Sequence, residues 1–331
     1  MTTRDTLKQS FLNTTQWAYA RTSSMTGDAS NRRYDRLTLG QDTAILMDAA
    51  PERGENVRPF IAIDEYLRQQ GFSAPEIYAQ DCANGFLLIE DLGNARFKEH
   101  VAAHPEDENR LYRAAVDVLL HLHQCPVPEV PPYDTAKMIG VCAPVFEIYC
   151  AKTRGGIAPA DRQRLEQALA HLLDQHAASP KVLVQRDYHA ENLLWLPDRD
   201  GVARVGLLDF QDAMIGHPAY DLMSLLQDAR RDVPETLEQE MLSYYIKNSD
   251  IDAEAFENAY WTLGFQRNFR IIGGFARLSA ERGKPAYLDF MPRVWGYLER
   301  VLKQPLFAEF APMFYQLIPA PTETARKTLL P

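Results

Sequence analysis

Hydrophobic positions change period along this chain. From Arg4 to Trp17 and from Asn56 to Phe72, apolar residues recur at three- and four-residue spacing, which predicts two helices, the second ending near Gly71. Arg32–Gly40 and Asp42–Ala50 predict two strands joined at Gly40-Gln41, and Ala74–Asp81 with Gly85–Gly93 predict another strand pair. Past Gly93 the helical period dominates. Asp107–Cys125 and Pro159–Ala177 are amphipathic, with an extended proline-rich connection over Pro126–Asp134. The helical region is broken once. "VLVQ" from Val182 and "NLLWL" to Leu196 are apolar runs enclosing a polar block; a turn at "PDRDG" and a strand at Val202–Phe210 follow. From Pro234 the helical pattern resumes. The expectation is an α+β protein of two lobes: residues 1–93 with an antiparallel sheet, and a larger, mostly helical lobe over 94–331.

Composition narrows the function. The net charge of −10 argues against nonspecific binding to nucleic acid or anionic membranes, which needs a basic patch. The four cysteines form no C-x-x-C, the first residues lack the apolar core of a signal peptide, and no apolar run approaches bilayer length. A cytoplasmic protein acting on a small molecule is expected, with no nucleic acid and no membrane as partner. Nothing in the pattern bears on oligomeric state.

The polar block carries the chemistry. Asp187 and Asn192 form D-x-x-x-x-N directly after a strand-like run and Arg186, and Asp209 ends the strand "VGLLDF" seventeen residues after Asn192. D-x-x-x-x-N alone is weak; strand, R-D, Asn, hairpin, strand and D-F in order are far more specific. Phosphoryl transfer needs a carboxylate to accept a hydroxyl proton and hard oxygen ligands for the Mg²⁺ on ATP. Asp187 suits the base, and Asn192 and Asp209 suit the metal. The competing reading makes all three loop caps and turn residues.

"QRDYHAENLLW" with "LLDFQDA" resembles the aminoglycoside phosphotransferase and choline kinase family, distant relatives of protein kinases. The resemblance covers most of the chain and implies a two-lobed protein-kinase-like fold with the active site between lobes. It also implies a nucleotide-covering hairpin at Met25–Leu37, with Ser30 and Asn31 over the phosphates, and a hinge at Leu87–Gly93, where adenine meets backbone near Glu90 and Leu92. Asp221, in "GHPAYDLMSLL", would cap a helix and brace the catalytic loop. Arg204–Val233 and Phe265–Leu278 are similar in particular to bacterial cell-wall recycling kinases that phosphorylate the anomeric hydroxyl of N-acetylmuramate and N-acetylglucosamine.

One departure stands out. Kinases of this type carry a lysine on the third strand, whereas here Met47 stands near that place and no lysine occurs between Lys8 and Lys98. Arg32 or Arg33 would then hold phosphate. The missing lysine also motivates a second class of reading, a nucleotide-binding pseudokinase that regulates a partner; the intact Asp187, Asn192 and Asp209 argue against it. Within the enzyme class, the alternative is an aminoglycoside, choline or other alcohol kinase.

Four further residues are substrate candidates. His189 either orients substrate or makes a structural hydrogen bond, and Asp212 either caps a turn or touches substrate. Arg267 and Arg270 share one side of a helix with Arg277, opposite the core stripe of Trp261, Phe265, Phe269 and Ile272. They read either as solvated cations or as readers of an anionic substituent, for which arginine's paired donors suit carboxylate. "ARRD" at Ala229–Asp232 reads as a solvated, salt-bridged face.

Overall fold

The alternation of apolar residues in the first ninety positions resolves into a five-stranded antiparallel sheet in the computed structural model, which describes residues 3–25, 31–179 and 181–331. Its strands are β1 (Arg21–Ser24), β2 (Arg33–Leu39), β3 (Asp42–Asp48), β4 (Ile77–Asp81) and β5 (Phe86–Glu90), in the order β1-β2-β3-β5-β4. The β2–β3 hairpin pairs Arg33 with Asp48 through Leu39 with Asp42, and Gly40 takes a left-handed φ of 65° at the turn, a conformation that costs glycine least. β1 was not legible: its four residues, RTSS, are all exposed and carry no apolar alternation.

Helix α1 (Thr3–Leu12) covers one face of the sheet, burying Phe11 and Leu12 with Trp17, Leu37, Leu46, Phe86 and Leu88. It stops five residues short of the expected Trp17. The Thr14 and Thr15 hydroxyls donate to the carbonyls of Phe11 and Leu12, a local alternative to the helical ladder. Helix α2 (Arg58–Gln69) buries Phe60, Ile63 and Leu67. After α3 (Phe97–Ala103) and α4 (Glu108–Leu122), the chain enters a largely helical region.

Packing divides the chain into two units: Met1–Val118 with Glu191–Ala213, and Leu119–Ala190 with Met214–Pro331. The division falls inside α4, and the expected hinge at Leu87–Gly93 is internal to the first unit. That unit also holds the hairpin of β7 (Leu193–Trp195) and β8 (Val205–Leu207).

The second unit holds β6 (Val182–Val184), paired antiparallel with β9 (Met214–Gly216). Its helices include α5 (Thr135–Gly140), α6 (Ala151–Arg154), α7 (Pro159–His176), α8 (Ala219–Leu226), α9 (Glu235–Lys247) and α10 (Ala253–Arg282). At thirty residues α10 is the spine of the unit, capped by the Asp252 carboxylate accepting from the Ala255 N–H and closed by Gly283 in the left-handed region. A π-helical segment at Val145–Cys150 presses against it. Gly273 permits that approach, because a Cβ there would lie 2.5 Å from the Val145 backbone nitrogen. Among the described residues no helix is long and apolar enough to cross a membrane, and all four cysteines are free thiols.

Candidate active site

Two non-glycine residues among those described take a left-handed φ: Arg186 at 71° and Asp209 at 58°. One precedes the proposed base, and the other is a proposed metal ligand. Such a conformation costs an L-residue about 1–2 kcal/mol and persists only where surrounding contacts hold it, which is common at functional sites.

In the second unit, β6 delivers the chain to Gln185, Arg186 and Asp187. Asp221, on α8, is fully buried; its Oδ2 accepts the Gln185 N–H at 2.6 Å and its Oδ1 accepts the Arg186 N–H at 2.9 Å. Both oxygens thus brace the loop, while the N-cap of α8 receives no side-chain hydrogen bond. His217 instead accepts the Ala219 N–H at its Nδ1, at 3.1 Å. Burial pushes the Asp221 carboxyl up to about 7, the Asp187 charge adding to this and the two loop N–H groups drawing it back. The Arg186 guanidinium lies 4.9 Å over the Tyr133 ring.

Asp187 lines a cavity of about 520 Å³ with His189, Arg267 and Arg270. Burial would raise its carboxyl pKa, but Arg270, Arg267 and Arg186 more than offset this and hold it below the usual carboxylate range. Arg267 and Arg270 are therefore not solvated cations. Arg267 is 3% exposed; its Nη1 donates to the Gln227 carbonyl at 3.4 Å, and its Nε has no hydrogen-bond partner among the described residues. Burial pushes its pKa down, as expected for a cation taken out of water. Arg270 is half-buried, and Arg277, two turns on, is exposed at the same cavity.

His189 is buried and its Nε2 lies 2.9 Å from Arg230 Nη1. A guanidinium only donates, so Nε2 accepts and the proton resides on Nδ1. Burial and the Arg230 charge depress the imidazole pKa, with Asp228 and Asp187 opposing. His189 is thus a neutral acceptor that orients Arg230. The expected solvated face at Ala229–Asp232 is corrected accordingly: Ala229 is buried, and Arg230 is half-buried and lines the cavity with buried Asp228. Asp232, exposed and ion-paired with Arg293, behaves as expected. These two cavity residues were missed because a run of charge carries no sign of which member faces inward.

The first unit holds the other candidates. The β7–β8 register sets Leu193 opposite Leu207, and the Asn192 carbonyl accepts the Leu208 N–H at 3.0 Å, so Asp209 follows one residue beyond Asn192's cross-strand neighbour. Asp209 is exposed, Gln211 Nε2 donates to its Oδ1 at 2.7 Å, and Phe210 beside it is fully buried, stacked on Phe60 of α2 at 4.9 Å. The Asp209 carboxylate and the Asn192 amide, just outside the paired strands, are hard-oxygen groups of the kind that could hold Mg²⁺, which takes few ligands from protein when phosphates complete its shell. Asp212 is exposed in this unit.

Met47 is 1% exposed and pairs with Tyr34 of β2, so the two share a face. Arg32, two residues before Tyr34, donates its Nε to Glu55 Oε2 at 3.0 Å, with only 11% and 15% of the two side chains exposed. Burial opposes the Arg32 charge, and Tyr34 and Glu55 more than offset that. Burial likewise raises the Tyr34 phenol, with Arg32 lowering it and Asp209 raising it further. A cation clamped by a carboxylate thus lies beside Tyr34, the cross-strand partner of Met47, and it is Tyr34 that feels the charge of Asp209. Asn31 is tied to the same clamp, its N–H donating to Glu55 Oε1 at 3.1 Å. Ser30 lies outside the described residues. In the hinge, the Glu90 N–H already donates to the Glu76 carbonyl at 2.7 Å, and the Glu90 carboxylate pairs with Arg199. Leu92 packs towards Gly206 of β8, where a Cβ would lie 3.2 Å from its Cδ1.

The fold is that of the two-lobed, protein-kinase-like small-molecule kinases. A choline/ethanolamine kinase family protein from Mesorhizobium loti superposes with a TM-score of 0.61 at 14% identity, over 95% of this chain and 99% of that one. The model of the phosphotransferase enzyme family matches residues 22–256, and the chain belongs to that family. Among its relatives are the N-acetylmuramate/N-acetylglucosamine kinases of Caulobacter vibrioides, 37% identical over 96% of this chain and 98% of the relative, and of Pseudomonas putida, 33% identical over 91% and 90%.

Proposed function

We propose that this phosphotransferase is an ATP-dependent amino-sugar kinase that phosphorylates the anomeric hydroxyl of N-acetylmuramate and N-acetylglucosamine in cell-wall recycling. The observation that carries the reading is the cavity that gathers Asp187 with arginines. It is lined by Arg186, Arg230, Arg267, Arg270 and Arg277 against Asp187, Asp228 and Glu147. That balance suits a substrate bearing a carboxylate, as the lactyl ether of N-acetylmuramate does, and opposes a cationic aminoglycoside or choline. The identity to the Caulobacter kinase over nearly the whole chain supports the same substrates.

In this mechanism Asp187, kept ionised by Arg270 and Arg267, accepts the proton of the sugar hydroxyl as its oxygen attacks the γ-phosphorus of ATP. The bond to the β-phosphate oxygen breaks and ADP leaves. Asp221 holds the loop that aims Asp187. Asn192 and Asp209 would hold Mg²⁺, which when bound neutralises phosphate charge. Arg32, fixed by Glu55, holds phosphate in place of the lysine absent at Met47, with Asn31 beside it. Adenine meets backbone near Leu92, since the Glu90 N–H is committed to Glu76. The reading has the enzyme work in the cytoplasm, where ATP is made.

The test is ADP release with N-acetylmuramate, N-acetylglucosamine, an aminoglycoside and choline, and phosphorus NMR of the product. An anomeric phosphate from the two N-acetyl sugars, abolished in Asp187→Asn, is expected. Turnover confined to choline or the aminoglycoside, or turnover undiminished in Asp187→Asn, refutes the reading.

A further inference from the structure

Two adjacent glycines in α10 occupy opposite environments. Gly273 is required by packing, since a Cβ there would sit 2.5 Å from the Val145 nitrogen and 2.8 Å from the Pro144 carbonyl carbon. At Gly274 a Cβ would meet nothing within 4 Å, and Gly274 lines the same 520 Å³ cavity as Asp187. Mid-helix glycine costs about 1 kcal/mol relative to alanine, so neither packing nor helix stability accounts for Gly274. Gly140, at the end of α5, also lines this cavity with open space where its Cβ would be.

The neighbours of Gly274 on its helix face are charged. Arg270 lies one turn before it and Arg277 one turn after, and both line the cavity. Helical side chains lean towards the N-terminus, so Arg277 leans back towards the turn that carries Gly274, while Arg270 leans away towards the preceding turn. Gly274 is thus a bare notch in the cavity wall between two arginines of the same helix face.

We propose that the notch over Gly274, flanked by Arg270 and Arg277, seats the anionic ether arm that distinguishes N-acetylmuramate from N-acetylglucosamine, making Gly274 the residue that sets tolerance for that arm. The inference rests on the amino-sugar reading above and locates the subsite within it. A side chain at position 274 fills the space the arm needs, while a sugar with a free hydroxyl in place of the arm is still accommodated. The arginines pair with the carboxylate through two parallel N–H bonds each can offer.

The experiment is a size series, Gly274→Ala, Gly274→Val and Gly274→Leu, with kcat/KM measured on both sugars alongside melting temperature and the KM for ATP. The expected result is a graded loss on N-acetylmuramate, reaching roughly 30-fold or more by valine, with N-acetylglucosamine within about 3-fold of wild type. Alanine, the better helix former, keeps the melting temperature at or above wild type, so the series is interpretable even where leucine fails to fold. Arg277→Met, at an exposed position, raises the KM for N-acetylmuramate and leaves that for N-acetylglucosamine unchanged. Parallel losses on both sugars across the series, or unchanged selectivity, overturn the notch while leaving the kinase assignment standing. A wild-type enzyme that phosphorylates neither sugar refutes the kinase assignment instead.

Discussion

Asp221→Asn separates positioning from stability. At pH 8.5, above the Asp221 pKa of about 7, the native group is ionised and accepts two loop N–H groups, at 2.6 Å from Gln185 and 2.9 Å from Arg186. Asparagine keeps one acceptor and turns an NH₂ towards the other donor, so one charge-assisted bond is lost and a buried N–H is left facing a donor. Each effect costs about 1–3 kcal/mol. Arg186 stores about 1–2 kcal/mol in its φ of 71°, and that strain is held by the bond at issue. When the bond goes, the loop relaxes and recovers much of the strain. The net loss of stability is then only about 2 kcal/mol. For 331 residues, unfolding entropy near 0.7 kcal/mol/K makes that a fall of roughly 3 °C in Tm. The same relaxation carries Asp187 away from its aim, and a displacement near 1 Å costs about a hundredfold in rate. The assay is differential scanning calorimetry beside kcat and the KM for ATP. A kcat lowered about 100-fold with Tm down a few degrees and KM for ATP within 3-fold is expected. A variant that loses the same few degrees but keeps kcat within 3-fold would show that Asp221 only stabilises, and the positioning argument would be wrong.

Two further outcomes follow from the same geometry. Arg32→Ala should raise the KM for ATP about 10-fold or more, and Met47→Lys in that background should recover part of it, because Met47 and Tyr34 share the face that Arg32 serves; steady-state kinetics on the double variant decides, and a lysine without any effect counts against the replacement. His217 is buried with its Nδ1 accepting from Ala219 and its ring donating to the Ser179 carbonyl, and burial pushes its pKa down to about 4 from 6.5. Its stabilising contribution is therefore full above pH 6.5 and lost as pH falls towards 4, so the deficit of His217→Asn in urea denaturation should shrink by about 1.4 kcal/mol per pH unit over that range, about 3 kcal/mol in all; a deficit independent of pH would mean that His217 titrates normally.

What could be read from the chain depended on how local each feature is. Asp187, Asn192 and Asp209 stood out because apolar runs bracket them within about twenty residues, and the β7–β8 hairpin that sets Asn192 against Leu208 is closed by the legible turn at "PDRDG". The partner of β6 was not legible: the strand pairs with Met214–Gly216, thirty residues on, across an intervening hairpin, and three residues carry no period that selects a mate. The arginines show the same limit more sharply. The wheel put Arg267, Arg270 and Arg277 on one side of α10, and that side proved to be a cavity wall, with Arg267 buried, Arg270 half-buried and Arg277 exposed. A helical period reports only which residues share a face. Whether that face meets water depends on segments far away in sequence, here the loop of Asp187 and His189 and the stretch after α8 that brings Asp228 and Arg230. Burial pushes the Arg267 pKa down and the Arg270 charge adds to this, while Tyr220, Asp187 and Asp228 counter part of the cost of taking the guanidinium out of water. The charge that looked ornamental on the helix is therefore the counterpart of the charge that looked catalytic eighty residues earlier, and each explains why the other survives burial.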